Sequence, residues 1–146
     1  MTGTQSFLSG GSVIFNVSGI GPQGPVGPVG PNGATISSIE NCVSSQAITA
    51  SQNQAFFTNQ GASDSISLDL PSSQTPFVPM VYSFLVVSSE TLNIVAAAGM
   101  KIQNGSDVSS AGGYFSSNTV GNLLVIALVS PTLWVVTSLT GIWSLA

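Results

Sequence analysis

The chain has 146 residues, enough for one domain of ordinary size and a short appendage. Lys101 is its one basic residue, histidine is absent, and charged residues make up 4%, against roughly 25% in a typical soluble domain. One lysine cannot neutralise a run of phosphates, so the composition excludes nucleic acid as a partner. A nucleophilic serine or Cys42 would need a basic partner such as histidine, which the chain lacks. A metal site would need several Cys, His or carboxylate ligands close together, and the sequence shows no such cluster. We therefore expect no enzymatic activity, no metal and no cofactor.

The first segment, residues 1–20, contains one strand-like run, SVIFNV, bounded by glycines. A single short strand cannot form a core, so we expect it to pair with its own copies or with another protein. The segment also lacks the basic and apolar regions of a secretion signal. We interpret it as an anchoring arm, whose candidate contact residues are Ser12, Val13, Ile14, Phe15, Asn16 and Val17.

Residues 21–35 are five consecutive Gly-X-Y triplets, GPQ-GPV-GPV-GPN-GAT. Collagen requires this register because only glycine fits at the axis where three chains meet. A stiff single-chain linker would also be rich in proline, but it would not need glycine at every third position. We therefore predict a triple-helical segment. The glycines expected at its axis are Gly21, Gly24, Gly27, Gly30 and Gly33.

So short a rod needs help to hold three chains in register. At about 3 Å per residue it would span roughly 40–45 Å. It has no proline at the third position of any triplet. We therefore expect the domain that follows it to be a homotrimer.

Residues 36–146 show β patterning throughout, with strand-like runs separated by turn signals such as Asn104-Gly105 and Gly112-Gly113. Short strands at this spacing predict an antiparallel β-sandwich or jelly-roll head. The predicted strands are Ile36–Val43, Ala47–Thr58, Ser65–Leu70, Met80–Ser88, Leu92–Ala96, Met100–Gln103, Asn122–Ser130, Leu133–Leu139 and Ile142–Leu145.

Two of these runs, FLVV and LLVIALV, are apolar at consecutive positions. A strand of an antiparallel sandwich usually alternates between apolar and polar residues, so these strands predict an apolar outer face as well as a core face. Threefold association would bury that outer face. The longer run, Leu123–Val129, is far below the 18 or so residues of a membrane span, and we expect no membrane insertion.

Four aromatic residues near the C-terminus have two interpretations. Tyr114, Phe115, Trp134 and Trp143 could anchor the core or a subunit interface, which is the commoner use of such side chains. They could also stack on a sugar. For the second interpretation the candidate glycan contacts are Asn104, Tyr114 and Phe115.

The sequence AGGYFSSNTVGNLLVIALVSPTLWVVTSLTGIWSLA, at 111–146, resembles the C-terminal β domain of many phage virion appendages. The shared features are a Gly-Gly-aromatic turn, a Ser-Asn-Thr-Val-Gly step, Trp-Val-Val-Thr-Ser and a terminal Gly-x-Trp. Upstream, QAFFTNQGASDSISLDLP, at 54–71, is similar to the same domain. The resemblance covers roughly residues 47–146, and it implies a fold found in tail fibres, tailspikes and capsid decoration proteins.

The small size of the chain narrows this resemblance to trimeric cement (decoration) and head-fibre proteins of tailed bacteriophages, including short-tailed cyanophages. It implies a homotrimer on the outer capsid surface, bound to the major capsid protein through the N-terminal arm. An alternative is the receptor-binding tip of a tail fibre or tailspike, which recognises host surface polysaccharide. A third interpretation is a bacterial or spore-surface collagen-like trimer.

Overall fold

A computed structural model describes Gly24 and residues 35–146 of the chain. In this part of the chain the regular structure is β-strand, apart from one 3₁₀ helix at Ala50–Gln52. The predicted all-β class is confirmed. The strands are β1 (Ile39–Asn41), β2 (Gln46–Ala47), β3 (Phe56–Thr58), β4 (Ile66–Asp69), β5 (Val81–Leu85), β6 (Leu92–Val95), β7 (Lys101–Asn104), β8 (Asp107–Val108), β9 (Tyr114–Ser117), β10 (Leu123–Ser130), β11 (Leu133–Thr140) and β12 (Ser144–Leu145).

These strands form two mixed sheets. Sheet A has seven strands in the order β1-β3-β5-β10-β11-β7-β8, and sheet B has five in the order β12-β9-β6-β4-β2. The longest pairing is the hairpin of β10 and β11, which turns at Pro131-Thr132 and carries two register shifts. The predicted Asn104-Gly105 turn is present between β7 and β8, where Gly105 adopts a φ of +61°.

The predicted antiparallel arrangement is wrong for half of the strand pairs. From β1 to β6 the chain passes to the other sheet after every strand. Each strand therefore returns in the same direction as its predecessor in that sheet, which makes β1-β3, β3-β5, β2-β4 and β4-β6 parallel. The pair β7-β11 is parallel as well. Apolar periodicity and turn residues identify strands, but they do not identify which strand lies beside which.

One predicted strand, Ala47–Thr58, is two strands joined by a 3₁₀ turn. The Thr49 backbone N–H donates to Gln52 Oε1 at 2.8 Å, which is half of a capping box. Gln54, at a φ of +71°, then turns the chain into β3. The sequence does not predict β8, which has only two residues, or β9. At β9 the Gly-Gly-aromatic pattern predicts a turn where the strand begins. The remaining predicted runs overlap the observed strands.

The inner faces of the two sheets contribute to one hydrophobic core. Sheet A supplies a series of aromatic rings: Phe57 stacks on Phe84 at 5.5 Å, and Tyr82 lies 6.0 Å from Phe57 and 5.7 Å from Trp134. The members from sheet B are Ile66, Leu68, Leu92, Ile94 and Phe115. Because consecutive strand residues point to opposite faces, burying these side chains fixes which residues of each sheet face outward.

Asn59 is a polar residue inside this core, with no exposed surface. Its side-chain oxygen accepts from the Val87 and Ser88 backbone N–H groups at 2.7 and 2.9 Å. Its Nδ2 donates to the carbonyl oxygens of Ser88 and Glu90 at 3.1 and 2.8 Å. The amide thus uses its full hydrogen-bonding capacity to tie the turn after β3 to the connection between β5 and β6. This explains physically why the Phe-Thr-Asn-x-Gly stretch contains asparagine.

A second buried asparagine holds the end of the described chain. Asn122 Nδ2 donates to Ser117 Oγ at 2.8 Å and to the Ile142 carbonyl at 2.7 Å. Gly141 has a φ of +81°, and an added Cβ there would collide with the Asn122 side chain. The Ser-Asn-Thr-Val-Gly step and the Gly-x-Trp end therefore meet at one buried hydrogen-bonded cluster. The residues of these two motifs therefore have a structural role in holding the C-terminal residues against β9.

Candidate interaction surfaces

The outer face of sheet A carries many hydrocarbon side chains, with Asn41, Thr58, Ser83, Ser138 and Thr140 among them in register. Register places Leu123 beside Leu85, and Ala127 between Val81 and Val135. Most members are half-buried in the single chain, although Ile39 is 67% exposed. As predicted for the runs FLVV and LLVIALV, consecutive apolar residues alternate between buried positions, such as Phe84 and Leu124, and outward positions, such as Leu85 and Leu123. We call this surface the apolar face, and its members are Ile39, Phe56, Val81, Leu85, Leu123, Val125, Ala127, Leu133 and Val135.

The outer face of sheet B is polar. Ser67, Asn93, Ser116 and Ser144 form a row across four neighbouring strands. A second row contains Asp69, Val95 and the exposed ring of Tyr114. We call this surface the polar face, and its members are Ser67, Asp69, Asn93, Val95, Tyr114, Ser116 and Ser144.

The charged side chains near these two faces lie outside the apolar face. On the five strands that supply the apolar face, the one charged residue is Glu40, which lies on the opposite side of β1 from Ile39 and accepts a hydrogen bond from Ser38 Oγ at 3.1 Å. Lys101 of β7 is exposed beside Leu133 and borders the apolar face. Asp69 is exposed on the polar face. The centre of the apolar face therefore has no charged side chain.

A groove of about 590 Å³ lies beside the edge strands β8 and β12. Its polar lining includes Asn104, Asp107 and Ser109, and its apolar lining includes Trp143. The Trp143 indole is buried, and its Nε1–H has no acceptor among the described residues. A separate depression of about 280 Å³ lies on the polar face, between Ser67, Asn93, Val95 and Tyr114.

The three candidate glycan contacts do not share one surface. Asn104 lines the groove, whereas Tyr114, 41% exposed, lines the depression on the polar face. Phe115 lines the same groove as Asn104, and its ring, which is 1% exposed, lies 6.3 Å from Trp143 in the core. Adjacent strand positions point to opposite faces, so Tyr114 and Phe115 lie on opposite sides of β9 and line different surfaces. Trp134 and Trp143 are core residues, as one of the two interpretations predicted.

The N-terminal candidates lie almost wholly outside the described residues. This applies to the anchor candidates Ser12–Val17 and to the axis glycines Gly21, Gly27, Gly30 and Gly33. Gly24 is described, and it is exposed. The predicted anchoring and triple-helical roles of these segments therefore stay predictions.

The buried ionisable side chains of the core are held in their neutral forms. Burial, with a smaller contribution from the Glu40 carboxylate, raises the pKa of the Cys42 thiol to about 11. Burial also raises the pKa of Tyr82 to about 12, and its hydroxyl donates to the Thr49 carbonyl at 2.9 Å. Cys42 is a free cysteine with a small, buried side chain. At neutral pH this thiol is a weak nucleophile, because the thiolate is the reactive form.

Within Gly24 and residues 35–146, no group of three or more His, Cys, Asp or Glu side chains is arranged to hold a metal ion. The same residues include no helix that is long and apolar enough to cross a membrane. No protein-family model matches the chain, and no curated protein matches it either.

Proposed function

We propose that this chain is a structural virion protein that decorates and reinforces the outer surface of a phage capsid as a homotrimer. The observation that most supports it is the apolar face, an uncharged surface that a single chain leaves uncovered. Such a surface is typical of a protein–protein contact. It occurs in a chain whose Gly-X-Y register already calls for three copies. The capsid location comes from the resemblance to decoration proteins.

The proposed head is a β-sandwich, or a jelly roll with mixed strand directions. Its support is the common core, to which Phe84 and Trp134 of sheet A and Leu68 and Ile94 of sheet B all contribute. Two sheets that share one core in this way can pack face to face, with their other faces outward. The rod at residues 21–35 then joins the head to the arm at residues 1–20.

The proposed mode of binding is multivalent. Three arms, each with a weak contact through Ser12–Val17, would bind the major capsid protein together at high effective concentration. Sparse charge is compatible with this role, because a protein fixed on a particle does not depend on its own net charge for solubility. No catalytic chemistry is part of the proposal.

The test is the copy number of the chain in purified particles, measured by quantitative mass spectrometry against the major capsid protein. A decoration protein is expected at a fixed, high ratio to the capsid subunit. A few copies per particle, recovered with the tail, would contradict the proposal. A variant without residues 1–20 is expected to keep a trimeric mass and to lose capsid binding, whereas undiminished binding would contradict the anchoring role of the arm.

The alternative function is a receptor-binding tip that recognises host surface polysaccharide. The polar face favours it, because serine hydroxyls, the Asn93 amide and the exposed Tyr114 ring are groups that bind neutral sugars. The groove at Asn104 and Trp143 offers similar chemistry. Binding to host polysaccharide that is lost in Tyr114→Ala or Asn104→Ala, together with a low copy number, would favour this alternative.

A further inference from the structure

We infer that the apolar face is the surface on which the heads of three identical chains pack against one another. The inference rests on the homotrimer proposed above, and it adds which surface of the head is buried and which stays free. The polar face then points away from the threefold axis. Two observations on the head support this assignment, the composition of its faces and the distribution of charge, and the position of β1 in the chain is compatible with it.

The first observation is composition. The apolar face continues across β1, β3, β5, β10 and β11, and it is interrupted by small polar residues, Ser83 and Ser138 beside Val125, and Thr58 and Thr140 in the next row. On the outer face of sheet B the purely hydrocarbon side chains at register positions are Val95 and Ala47. Removing apolar surface from water favours association, so a contact through the apolar face gains more than one through the polar face. Large exposed apolar patches are also rare on monomers.

The connection to the Gly-X-Y segment is short. Its last triplet ends at Thr35, and β1 begins at Ile39. Four residue steps span at most about 14 Å. If the proposed triple helix forms, its three chains touch at a common axis, and each β1 strand begins within that length of chain from the end of the triple helix. Ile39 lies in register with Phe56, and both belong to the apolar face. A short connection of this kind is compatible with contact between the apolar faces of the three copies.

The second observation is charge. The apolar face can lose its water without burying a charged group, which avoids a large desolvation cost. Lys101 lies at its border, where a long side chain can keep its ammonium group hydrated. An interface through the polar face would instead desolvate the exposed carboxylate of Asp69 in every copy. The occupants of the apolar face are therefore the other two heads.

The test compares the reactivity of two engineered thiols in the full chain, in which Cys42→Ala removes the native thiol. Ala127→Cys places a thiol on the apolar face, and Ser116→Cys places one on the polar face. Both positions are half-buried in the single chain, so they form a matched pair. Labelling by a maleimide is followed under native and denaturing conditions, and light scattering gives the mass of each sample.

We expect Ala127→Cys to react on the order of tenfold or more slowly than Ser116→Cys in the native trimer, because access requires the interface to open. The two rates should become equal in denaturant. A trimeric mass with equally fast native labelling overturns the inference and leaves the homotrimer standing. A monomeric mass overturns the homotrimer itself. Val125→Cys repeats the measurement on the same face if Ala127→Cys alters the fold.

The chain's own arm is the competing occupant, and a deletion distinguishes it. If the apolar face is buried by other heads, Ala127→Cys stays protected when residues 1–20 are removed. If its reactivity rises to that of Ser116→Cys while the mass stays trimeric, the arm covers the face and the inference is overturned.

Discussion

The outer faces of the two sheets differ although they are built in the same way. Both sheets mix parallel and antiparallel strands, and both bury aromatic and aliphatic residues on their inner faces. On sheet A the outward positions of β5 and β10 carry Leu85, Leu123 and Val125. On sheet B the outward positions of β6 and β9 carry Asn93 and Ser116.

This difference separates two requirements that a strand sequence can satisfy. Alternation, as in SISLDL at 65–70, is sufficient to fold a sheet with one wet face. In an unbroken apolar run such as LLVIALV, the outward residues are apolar as well, although the core of one chain requires only the inward residues to be apolar. We attribute the excess on sheet A to assembly, and the predictions below test that attribution from the largest expected effect to the smallest.

The largest effect is expected from a charge on the apolar face. Val125→Asp puts a carboxylate between Ser83 and Ser138, at the centre of that face. Burying it unpaired in three copies should cost several kcal/mol per trimer, enough to dissociate the trimer at micromolar concentration. Light scattering over a dilution series measures this. Asn93→Asp on the polar face is the matched control and should keep the wild-type mass. Equal masses for the two variants would remove the distinction between the faces.

A smaller effect is expected at Asn59, which helps to keep the two sheets in their relative positions. Asn59→Ala leaves the N–H groups of Val87 and Ser88 without their acceptor inside the protein. Unsatisfied buried groups of this kind cost about 1–3 kcal/mol each, so we expect a loss of about 2–4 kcal/mol in the free energy of unfolding. Denaturant unfolding measures it, and exposed Asn118→Ala serves as the control, with a change of about 0.5 kcal/mol or less. Equal unfolding midpoints for the two variants would contradict the role of Asn59.

Alkaline pH should lower the free energy of unfolding, because two buried side chains lose protons less readily than they do in the unfolded chain. The pKa values of Cys42 and Tyr82 rise from 9.0 and 10.0 to about 11 and about 12 on folding. The folded state thus holds protons that the unfolded state releases, so stability is full below pH 9 and falls as pH rises toward 12. Thermal unfolding against pH measures this. Cys42→Ala should flatten the decline between pH 9 and 11, and Tyr82→Phe the decline between pH 10 and 12. A constant stability across pH 9–12 would be inconsistent with both shifts.

The sequence predicts the central strands of sheet A, β5, β10 and β11, well because their apolar content is high. In β10 the run itself implies both a core face and an outer face, and the structure buries Leu124 and Ile126 while leaving Leu123 and Val125 half-exposed. The sequence predicts one strand at Ala47–Thr58, whereas the structure has a 3₁₀ turn between two strands. The Thr49–Gln52 hydrogen bond and the positive φ of Gln54, which form this turn, leave no signal in the pattern of apolar residues.

The surfaces were predicted less completely than the strands. Ser67, Asn93, Ser116 and Ser144 become one polar row only through pairing between β4, β6, β9 and β12. Strands far apart in the sequence meet there, and nothing in their local composition specifies the partner. The separation of Tyr114 from Phe115 has a related reason: the Gly-Gly-aromatic pattern predicts a turn, whereas Tyr114–Ser117 is a strand whose alternate residues face inward.

The smallest effect is expected at Tyr114, and its neighbour supplies the control. Tyr114→Ala removes a ring that is 41% exposed on the polar face, and we expect about 1 kcal/mol or less from reduced β propensity, with the trimeric mass unchanged. Phe115→Ala removes a ring that is 1% exposed and should cost about 3–5 kcal/mol. Unfolding curves and light scattering on the two variants measure both quantities. If Tyr114→Ala dissociated the trimer while leaving the fold intact, the polar face would be the subunit contact, and the apolar face would have to be covered by something other than the heads of the same chain.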